Sequence, residues 1–182
     1  MSLFFAVLAL LALAGAGAGI VSLVTGRGRE DLRPVALPLA FIVALVGTAG
    51  SLYFSEVAHF VPCQLCWFQR ICLYPLTILL GIAAWRRDAG IRTYVIVQAA
   101  IGLAIAAYHS WIQAFPPVGG SSFCTAAAPC TERYVWQFGF VSLPFMAFCA
   151  FAAIITAMVL AGPSRSSAAP VEGRRARVEE LV

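Results

Sequence analysis

Five long apolar segments separated by short polar stretches dominate the chain. Each is close to the length of about twenty residues that a membrane-spanning helix needs. Pro144 falls near the start of the last segment and is expected to bend its outer end, where freed backbone groups are easiest to satisfy. The pattern predicts an all-α integral membrane protein with five spans, which are Leu3 to Val24, Val35 to about Phe54, Cys63–Cys66 to Trp85, Thr93 to about Gln113, and Gln137 to Ala161.

The first segment, Leu3 to Val24, has the features of a retained helix rather than a cleaved signal peptide. No lysine or arginine precedes it, and it is long for the apolar region of such a peptide. Gly15 and Gly19 have the GxxxG spacing that lets two helices approach closely, although a segment rich in glycine and alanine also produces this match by chance. The sequence therefore predicts one helix ahead of the other four.

Arginines at the ends of the apolar segments predict the orientation of the helices in the membrane. Basic residues near the ends of spans favour the cytoplasmic side, so these groups place the N-terminus outside and the C-terminus in the cytoplasm. Residues 162–182 form a tail rich in serine, proline and arginine that is expected to be disordered. Three groups of arginines support this topology: Arg27, Arg29 and Arg33; Arg86, Arg87 and Arg92; Arg165, Arg174, Arg175 and Arg177.

The composition agrees with a membrane protein and excludes a nucleic-acid-binding one. Apolar side chains make up 62% of the 182 residues and charged ones only 11%, whereas the apolar share of soluble domains is about half. The net charge of +4 comes from arginines that mostly lie at the ends of spans. No basic surface for a nucleic acid is implied.

Four of the six cysteines form two pairs that this topology places on the outer side, one at the start of a span and one in a loop. Paired thiols that face an oxidising compartment behave as disulfides. Cys63 and Cys66 stand at the start of a predicted helix, where free N–H groups and the helix dipole stabilise a thiolate, most of all at Cys66. A structural zinc half-site is the alternative, but zinc favours four closed ligands, and Cys124 and Cys130 are not a second CxxC motif.

Arg70 lies one helical turn beyond Cys66, about 6 Å along the axis, on the same face. It can therefore reach whatever Cys66 attacks. An arginine at this depth is costly unless it has a partner or a function, although it could also extend outward to lipid head groups.

A disulfide between Cys124 and Cys130 would close a short exposed loop. Such a disulfide is either of the easily reduced kind or only a structural staple. With two pairs on one face, a relay by thiol exchange is the better interpretation.

Three motifs occur in order along the last four spans: Cys63-Gln-Leu-Cys66-Trp-Phe-Gln-Arg70, Tyr108-His109-Ser-Trp-Ile-Gln113 leading to Pro116-Pro117, and Cys130-Thr-Glu132-Arg133 followed by Phe138-Gly139 and Pro144. In these motifs the chain resembles the DsbB/BdbC family of disulfide bond formation protein B, membrane thiol oxidases that reduce quinone. The resemblance covers roughly Val35 to Ala161. It implies a four-helix transmembrane redox domain in residues 35–161, preceded by an extra helix and cytoplasmic linker in residues 1–34.

The resemblance also implies a reaction. A reduced DsbA- or BdbD-like thioredoxin-fold protein would attack a Cys124–Cys130 disulfide at Cys124, Cys130 would exchange with Cys63, and Cys66 would face a quinone. Arg70 and His109 would bind that quinone, Arg70 through its charge and His109 through proton delivery. The implied protein spans the plasma or inner membrane with both cysteine pairs on the extracytoplasmic side, and it draws ubiquinone or menaquinone from the surrounding lipid.

Two other functions fit parts of the pattern. A vitamin K epoxide reductase-like protein also combines a membrane CxxC with loop cysteines, but there the loop cysteines come before the CxxC. A membrane scaffold or transporter subunit could use its cysteines only to staple the outer loops, but it would not need Arg70 beneath Cys66. Cys72 and Cys149, which are single cysteines within spans, are expected to act as small hydrophobic side chains.

Overall fold

The computed structural model describes residues 1–88, 90–116, 124 and 129–162. All five α-helices in these ranges are long and apolar enough to cross a membrane, and the described residues contain no β-strand. The predicted all-α membrane architecture is confirmed, while the predicted disorder of the tail concerns residues that lie, apart from Gly162, outside the described ranges. The helices are α1 (Ser2–Thr25), α2 (Arg29–Leu52), α3 (Gln64–Arg86), α4 (Arg92–Ala114) and α5 (Leu143–Ala161).

Helix α5 is the element around which the others are arranged. It packs against α1, α2 and α4, while α3 completes the bundle by packing between α2 and α4. Half of the apolar stretch of α5 is buried, more than in any other of the five helices. Its fully buried side chains Phe151, Ile154 and Met158 form the centre of the main hydrophobic core. Close van der Waals packing of such side chains holds membrane helices together, because lipid tails are as apolar as the side chains and provide no hydrophobic driving force between helices.

Close approach of α1 to α5 depends on one glycine. A Cβ atom on Gly19 would lie 2.7 Å from Cγ2 of Thr156 on α5, so no larger residue fits there without movement. Gly15 is different, because nothing lies within 4 Å of the position that its Cβ would take. The GxxxG pair thus contributes one packing glycine and one glycine that faces open space.

Helix α2 begins earlier than the hydropathy pattern predicts. The predicted span starts at Val35, whereas the helix already runs from Arg29. Glu30 and Asp31 occupy its first turn, where negative charge interacts favourably with the helix dipole. At its other end, α2 continues into a π-helical turn at Tyr53–Val57. Turns of this type are rare and often lie at functional sites.

Helix α5 begins later than predicted, at Leu143 instead of Gln137. The apolar residues before it form a tight turn closed by a pair of backbone hydrogen bonds between Gln137 and Val141. Phe138 and Gly139 in this turn have positive φ angles, which a helix does not allow. Pro144 does not bend the helix, because it lies in the first turn, where proline removes no helical hydrogen bond.

The two ends of the bundle differ in chemistry. At one end, Gln137 Nε2 donates a hydrogen bond of 3.1 Å to Ser2 Oγ, which joins the start of α1 to the segment before α5. Phe60, just before α3, stacks on Tyr134 of the same segment, so the start of α3 lies at this end too. At the opposite end, Arg33 Nε donates to the carbonyl of Ala161 at 3.1 Å, in the last turn of α5. A cation there interacts favourably with free helix carbonyls. Both cysteine pairs belong to the first end.

Candidate functional site

The CxxC motif forms the N-terminus of α3. Cys63 is the N-cap residue, with extended backbone, and its Sγ accepts a hydrogen bond from the backbone N–H of Cys66 at 3.4 Å. The two sulfur atoms lie 2.9 Å apart, and Cys63 is buried while Cys66 is half-buried. The helix start therefore holds two thiols close enough to form a disulfide with only a small movement.

The structure favours a different thiolate from the one that the helix position suggested. The hydrogen bond from the Cys66 thiol, assisted by His109 and by the Cys66 backbone N–H, lowers the pKa of Cys63 well below the usual thiol value, although burial opposes this shift. Cys66 was expected to gain most from the helix start, but its own N–H group points at Cys63. In this arrangement of the reduced pair, Cys63 is the stabilised thiolate.

His109 connects the two cysteine pairs. Its side chain is 1% exposed, and its Nε2 atom lies 3.0 Å from the carbonyl oxygen of Cys130 and 3.7 Å from Sγ of Cys63. A carbonyl can only accept, so Nε2 carries the proton and Nδ1 of the neutral ring accepts. Gln69 Nε2 donates to that Nδ1 atom at 3.0 Å, which fixes the tautomer.

The loop pair lies directly beside the helix pair. Cys124 and Cys130 form a disulfide with their Cα atoms 5.7 Å apart. Cys130 is 1% exposed and belongs to a small buried cluster with Cys63, Leu65 and Ile112, against which Cys66 and Cys124 also pack. The two cysteine pairs, which the sequence placed at the start of a helix and in a separate loop, thus meet in one cluster.

The segment after Cys130 is held to the end of α4. Gln113 Nε2 donates to the carbonyl of Glu132 at 2.8 Å, and Arg133 donates from both Nε and Nη2 to the carbonyl of Gln113. The Arg133 guanidinium also lies 4.1 Å from the centre of the Trp136 ring. These contacts keep Cys130 at the end of α4, where His109 can reach it.

Arg70 lies one turn below Cys66, as the spacing predicted. It is half-buried, its Nη2 donates to the carbonyl of Ser51 at 3.2 Å, and its guanidinium lies 5.3 Å from the centre of the Trp67 ring. Ser51 immediately precedes the end of α2 and the π-helical turn. The hydrogen bond and the ring together orient the guanidinium, but they use only part of its five N–H donors.

An apolar cavity of about 430 Å³ opens on these groups. Cys63, Cys66, Arg70 and His109 line one end of it, and side chains of α1, α2 and α5 line the remainder. Concave, mostly apolar sites with a few convergent polar groups are the usual form of a small-molecule site. The arrangement can therefore bring an apolar molecule with a polar head next to Cys66 and Arg70.

The same cluster offers three atoms to a thiophilic metal ion. Ligand atoms of Cys63, Cys66 and His109 all lie within 4.8 Å of one another. A structural zinc site takes four ligands in a closed tetrahedron, and no residue of the described ranges adds a fourth to this group. In addition, His109 Nε2 is already the donor to Cys130.

Sequence reasoning named the four cysteines that meet in this cluster but missed Gln69 and Ser51. Gln69 follows Cys66 by three residues and therefore lies on the same helix face. This spacing was the signal that could have identified it, and in the structure its side chain is only 8% exposed. The contact between Arg70 and Ser51 joins two helices and leaves no mark on local spacing. Cys72 and Cys149 are buried between helices and are not part of either pair, as expected for small hydrophobic side chains.

The fold and the site define a class: a multi-pass membrane protein in which a buried cysteine cluster, built from a CxxC pair and a loop disulfide, can exchange thiols and disulfides. The chain belongs to the DsbB family, because the family model described as "Disulfide bond formation protein DsbB" matches residues 33–161. It is therefore a membrane oxidoreductase of disulfide bond formation. The first helix, α1, lies outside the matched region.

Named relatives give the same result. The chain is 44% identical over 128 residues to "Disulfide bond formation protein C" of Bacillus subtilis (strain 168), which covers 70% of this chain and 93% of that protein. It is 42% identical over 127 residues to "Probable disulfide formation protein C" of Bacillus cereus, with 70% and 91% covered. A "Probable disulfide formation protein" of Coxiella burnetii is 41% identical over 120 residues, with 65% and 82% covered. No solved structure matches the chain.

Proposed function

We propose that this protein oxidises a reduced thioredoxin-fold protein of the DsbA or BdbD type and passes the electrons to a membrane quinone. The partner's dithiol reduces the Cys124–Cys130 disulfide and itself becomes a disulfide. The two loop thiols then reduce a Cys63–Cys66 disulfide and form their own bond again. Two electrons leave the Cys63 thiolate and the Cys66 thiol as their disulfide re-forms, and quinone becomes quinol by taking these electrons with one proton from Cys66 and one from solvent.

One observation supports this proposal most strongly: both cysteine pairs meet in one buried cluster at the polar end of an apolar cavity. Thiol–disulfide exchange requires a thiolate to reach a disulfide sulfur, and its rate depends on thiolate character and access. His109 contacts Cys130 and Cys63 at once, and the lowered pKa of Cys63 makes it a good leaving thiolate when the loop pair is oxidised again. A scaffold that only needed stapled loops would not require this convergence.

Arg70 supports the second half of the reaction. Its guanidinium lines the cavity at the Cys66 end and has N–H donors beyond the one that binds Ser51. Reduction of a quinone places negative charge on its oxygens, and a fixed cation beside them stabilises that charge. His109 also lines this end and carries a proton on Nε2, which it can deliver toward the reduced quinone.

We further propose that the cysteine end of the bundle faces the outside of the plasma or inner membrane. The arginine-rich turns lie at the opposite end, and basic residues near spans favour the cytoplasm. The outside is also the compartment in which disulfides persist. This orientation would let a soluble extracytoplasmic partner reach the Cys124–Cys130 loop.

The test is to add a reduced thioredoxin-fold protein and a quinone to the purified protein and to follow quinol formation by the change in absorbance. We expect wild-type protein to accelerate the reaction and Cys66→Ser to abolish it. Cys72→Ser and Cys149→Ser are matched controls, because each removes a buried thiol outside the cluster, and we expect both to retain nearly full activity.

Two results would contradict the proposal. Wild-type protein that forms no quinol, under conditions in which a DsbB-family relative does so, would exclude quinone as the acceptor. Equal loss of activity in Cys66→Ser and Cys72→Ser would show that the relay is assigned to the wrong cysteines.

A further inference from the structure

The cavity beside the cysteines continues far along α1, the helix that lies outside the family match. On one side it is lined by side chains of α1 and on the other by side chains of α2, with α5 at its base. The lining residues of α1 extend from Phe5 to Ala16, about 16 Å along the helix axis. They share small size or apolar character: Phe5, Leu8, Ala9, Leu11, Ala12, Gly15 and Ala16.

The cleft exists because α1 packs along α5 and makes little contact with α2. The two helices come together mainly near the cysteine end, where a Cβ atom on Gly50 of α2 would lie 2.9 Å from the ring of Phe5. That ring also lies 5.4 Å from Phe54 of the π-helical turn, centre to centre. Near the redox site, the Phe5 ring therefore closes the gap between α1 and α2. Deeper in the bundle, Gly15 leaves that gap open.

The cleft is polar mainly at one end, since the hydroxyl of Thr156, which lines it deeper in the bundle, is already bonded to the carbonyl of Ala152. Cys66, Arg70, His109 and Gln113 line the end beside the cysteines, and apolar side chains of the helices line most of the remaining length. Gln113 is 4% exposed, and its Oε1 atom accepts no hydrogen bond from any described residue. A buried acceptor without a donor is costly unless another molecule supplies the donor. The shape and polarity match a molecule with a compact polar head and a long apolar tail.

We propose that α1 forms the outer wall of a cleft for the isoprenoid tail of quinone and thereby makes the enzyme select quinones by their tails. This inference rests on the proposed reduction of quinone. Without α1, the side of the cleft between α2 and α5 would open onto lipid, and acyl chains would compete for it. With α1 in place, an extended tail gains contacts over the length from Phe5 to Ala16, and a quinone with the same head and a short tail does not.

The test uses two glycines of α1. Gly15 lines the cleft and Gly17 does not, and nothing lies within 4 Å of the Cβ position of either. Gly15→Leu therefore places a side chain in the cleft without disturbing the packing of α1 on α5, and Gly17→Leu makes the same change facing away. Ala12→Leu and Ala14→Leu form a second such pair, since only Ala12 lines the cleft.

Two measurements are made on each variant: the KM for a long-tailed and for a short-tailed quinone, and the quinone and phospholipid that remain bound after purification. We expect Gly15→Leu to raise the KM for the long-tailed quinone at least tenfold, to leave the KM for the short-tailed one unchanged, and to lose bound quinone. Gly17→Leu should resemble wild type in all of these. If Gly15→Leu does not fold, the Ala12 and Ala14 variants make the same comparison.

The outcomes separate this inference from the proposed function. Equal KM values for Gly15→Leu and Gly17→Leu, in an enzyme that does form quinol, would overturn the role of α1 alone. Loss of bound phospholipid without loss of bound quinone would also overturn it, because an acyl chain would then be the occupant. Absence of quinol formation by wild-type protein with either quinone would instead refute the proposed function.

Discussion

Replacement of Arg70 by glutamine tests the proposal that this arginine binds the polar head of quinone. The glutamine amide is polar but shorter than arginine, so it ends short of the Ser51 carbonyl that Arg70 Nη2 contacts at 3.2 Å. The change therefore removes the positive charge beside Cys66 together with this hydrogen bond between α3 and α2. Arg70→Lys is the complementary variant, because it retains the charge but not the planar set of donors.

The expected size of the effect follows from the contacts of Arg70. A hydrogen bond from a charged donor contributes about 1.5–3 kcal/mol. Because each 1.4 kcal/mol corresponds to about a factor of ten, the KM for quinone should rise roughly 10- to 100-fold in Arg70→Gln. Arg70 is half-buried and partly committed to Ser51, so values in the lower part of that range are expected. Arg70→Lys should lie between wild type and Arg70→Gln.

The assay measures initial rates of quinol formation against quinone concentration, with the reduced partner in excess. Arg86→Gln removes an arginine from the opposite end of α3 and serves as the matched control, with no change expected. An unchanged KM for quinone in Arg70→Gln, together with a weaker dependence on the partner protein, would refute the placement of Arg70 at the quinone head. A loss confined to kcat would show that Arg70 acts only in the transition state.

Two further predictions concern groups around His109. In a protein that retains only Cys63 and Cys66, the thiolate absorbance of Cys63 should persist as the pH falls to about 6, because a lowered pKa keeps the deprotonated form at lower pH. Cys66→Ala removes the main cause of the lowered pKa of Cys63, so in that variant the thiolate absorbance of Cys63 should be lost as the pH falls below about 8. Identical titrations with and without Cys66→Ala would contradict the assignment of Cys63 as the stabilised thiolate. Gln69→Glu should reverse the tautomer of His109, because a carboxylate accepts a hydrogen bond from Nδ1–H, so that Nδ1 carries the proton and Nε2 does not. Nitrogen chemical shifts of the ring report this directly, and an unchanged Nε2–H signal would show that Gln69 does not set the tautomer.

The helices of this protein were largely predictable from the sequence. Hydropathy alone locates membrane spans because every backbone group in lipid must be satisfied within a helix. It fails before α5, where an apolar segment forms a turn instead of a helix: Phe138 and Gly139 have positive φ angles, and Phe138 is 56% exposed. The early start of α2 was missed for a different reason: Glu30 and Asp31 are polar, but they stabilise the first turn of a helix.

The site was predictable as a set of cysteines but not as a geometry. The CxxC spacing, the loop pair and Arg70 all carry local signals. The contact of His109 with Gln69 joins positions 40 residues apart, and spacing along one helix holds no information on it. The same holds for the two glycines of α1, since only the packed structure shows that Gly19 meets α5 while Gly15 faces the cleft.

The relay from partner to quinone is tested most directly by its stoichiometry in the absence of oxygen. Purified protein is mixed with reduced partner and excess quinone, and both the partner disulfide and the quinol are measured. The relay through Cys124–Cys130 and Cys63–Cys66 predicts that one quinol forms for each partner disulfide, and that Cys66→Ser forms none. Partner oxidation without quinol, or quinol formation that continues in Cys66→Ser, would contradict it.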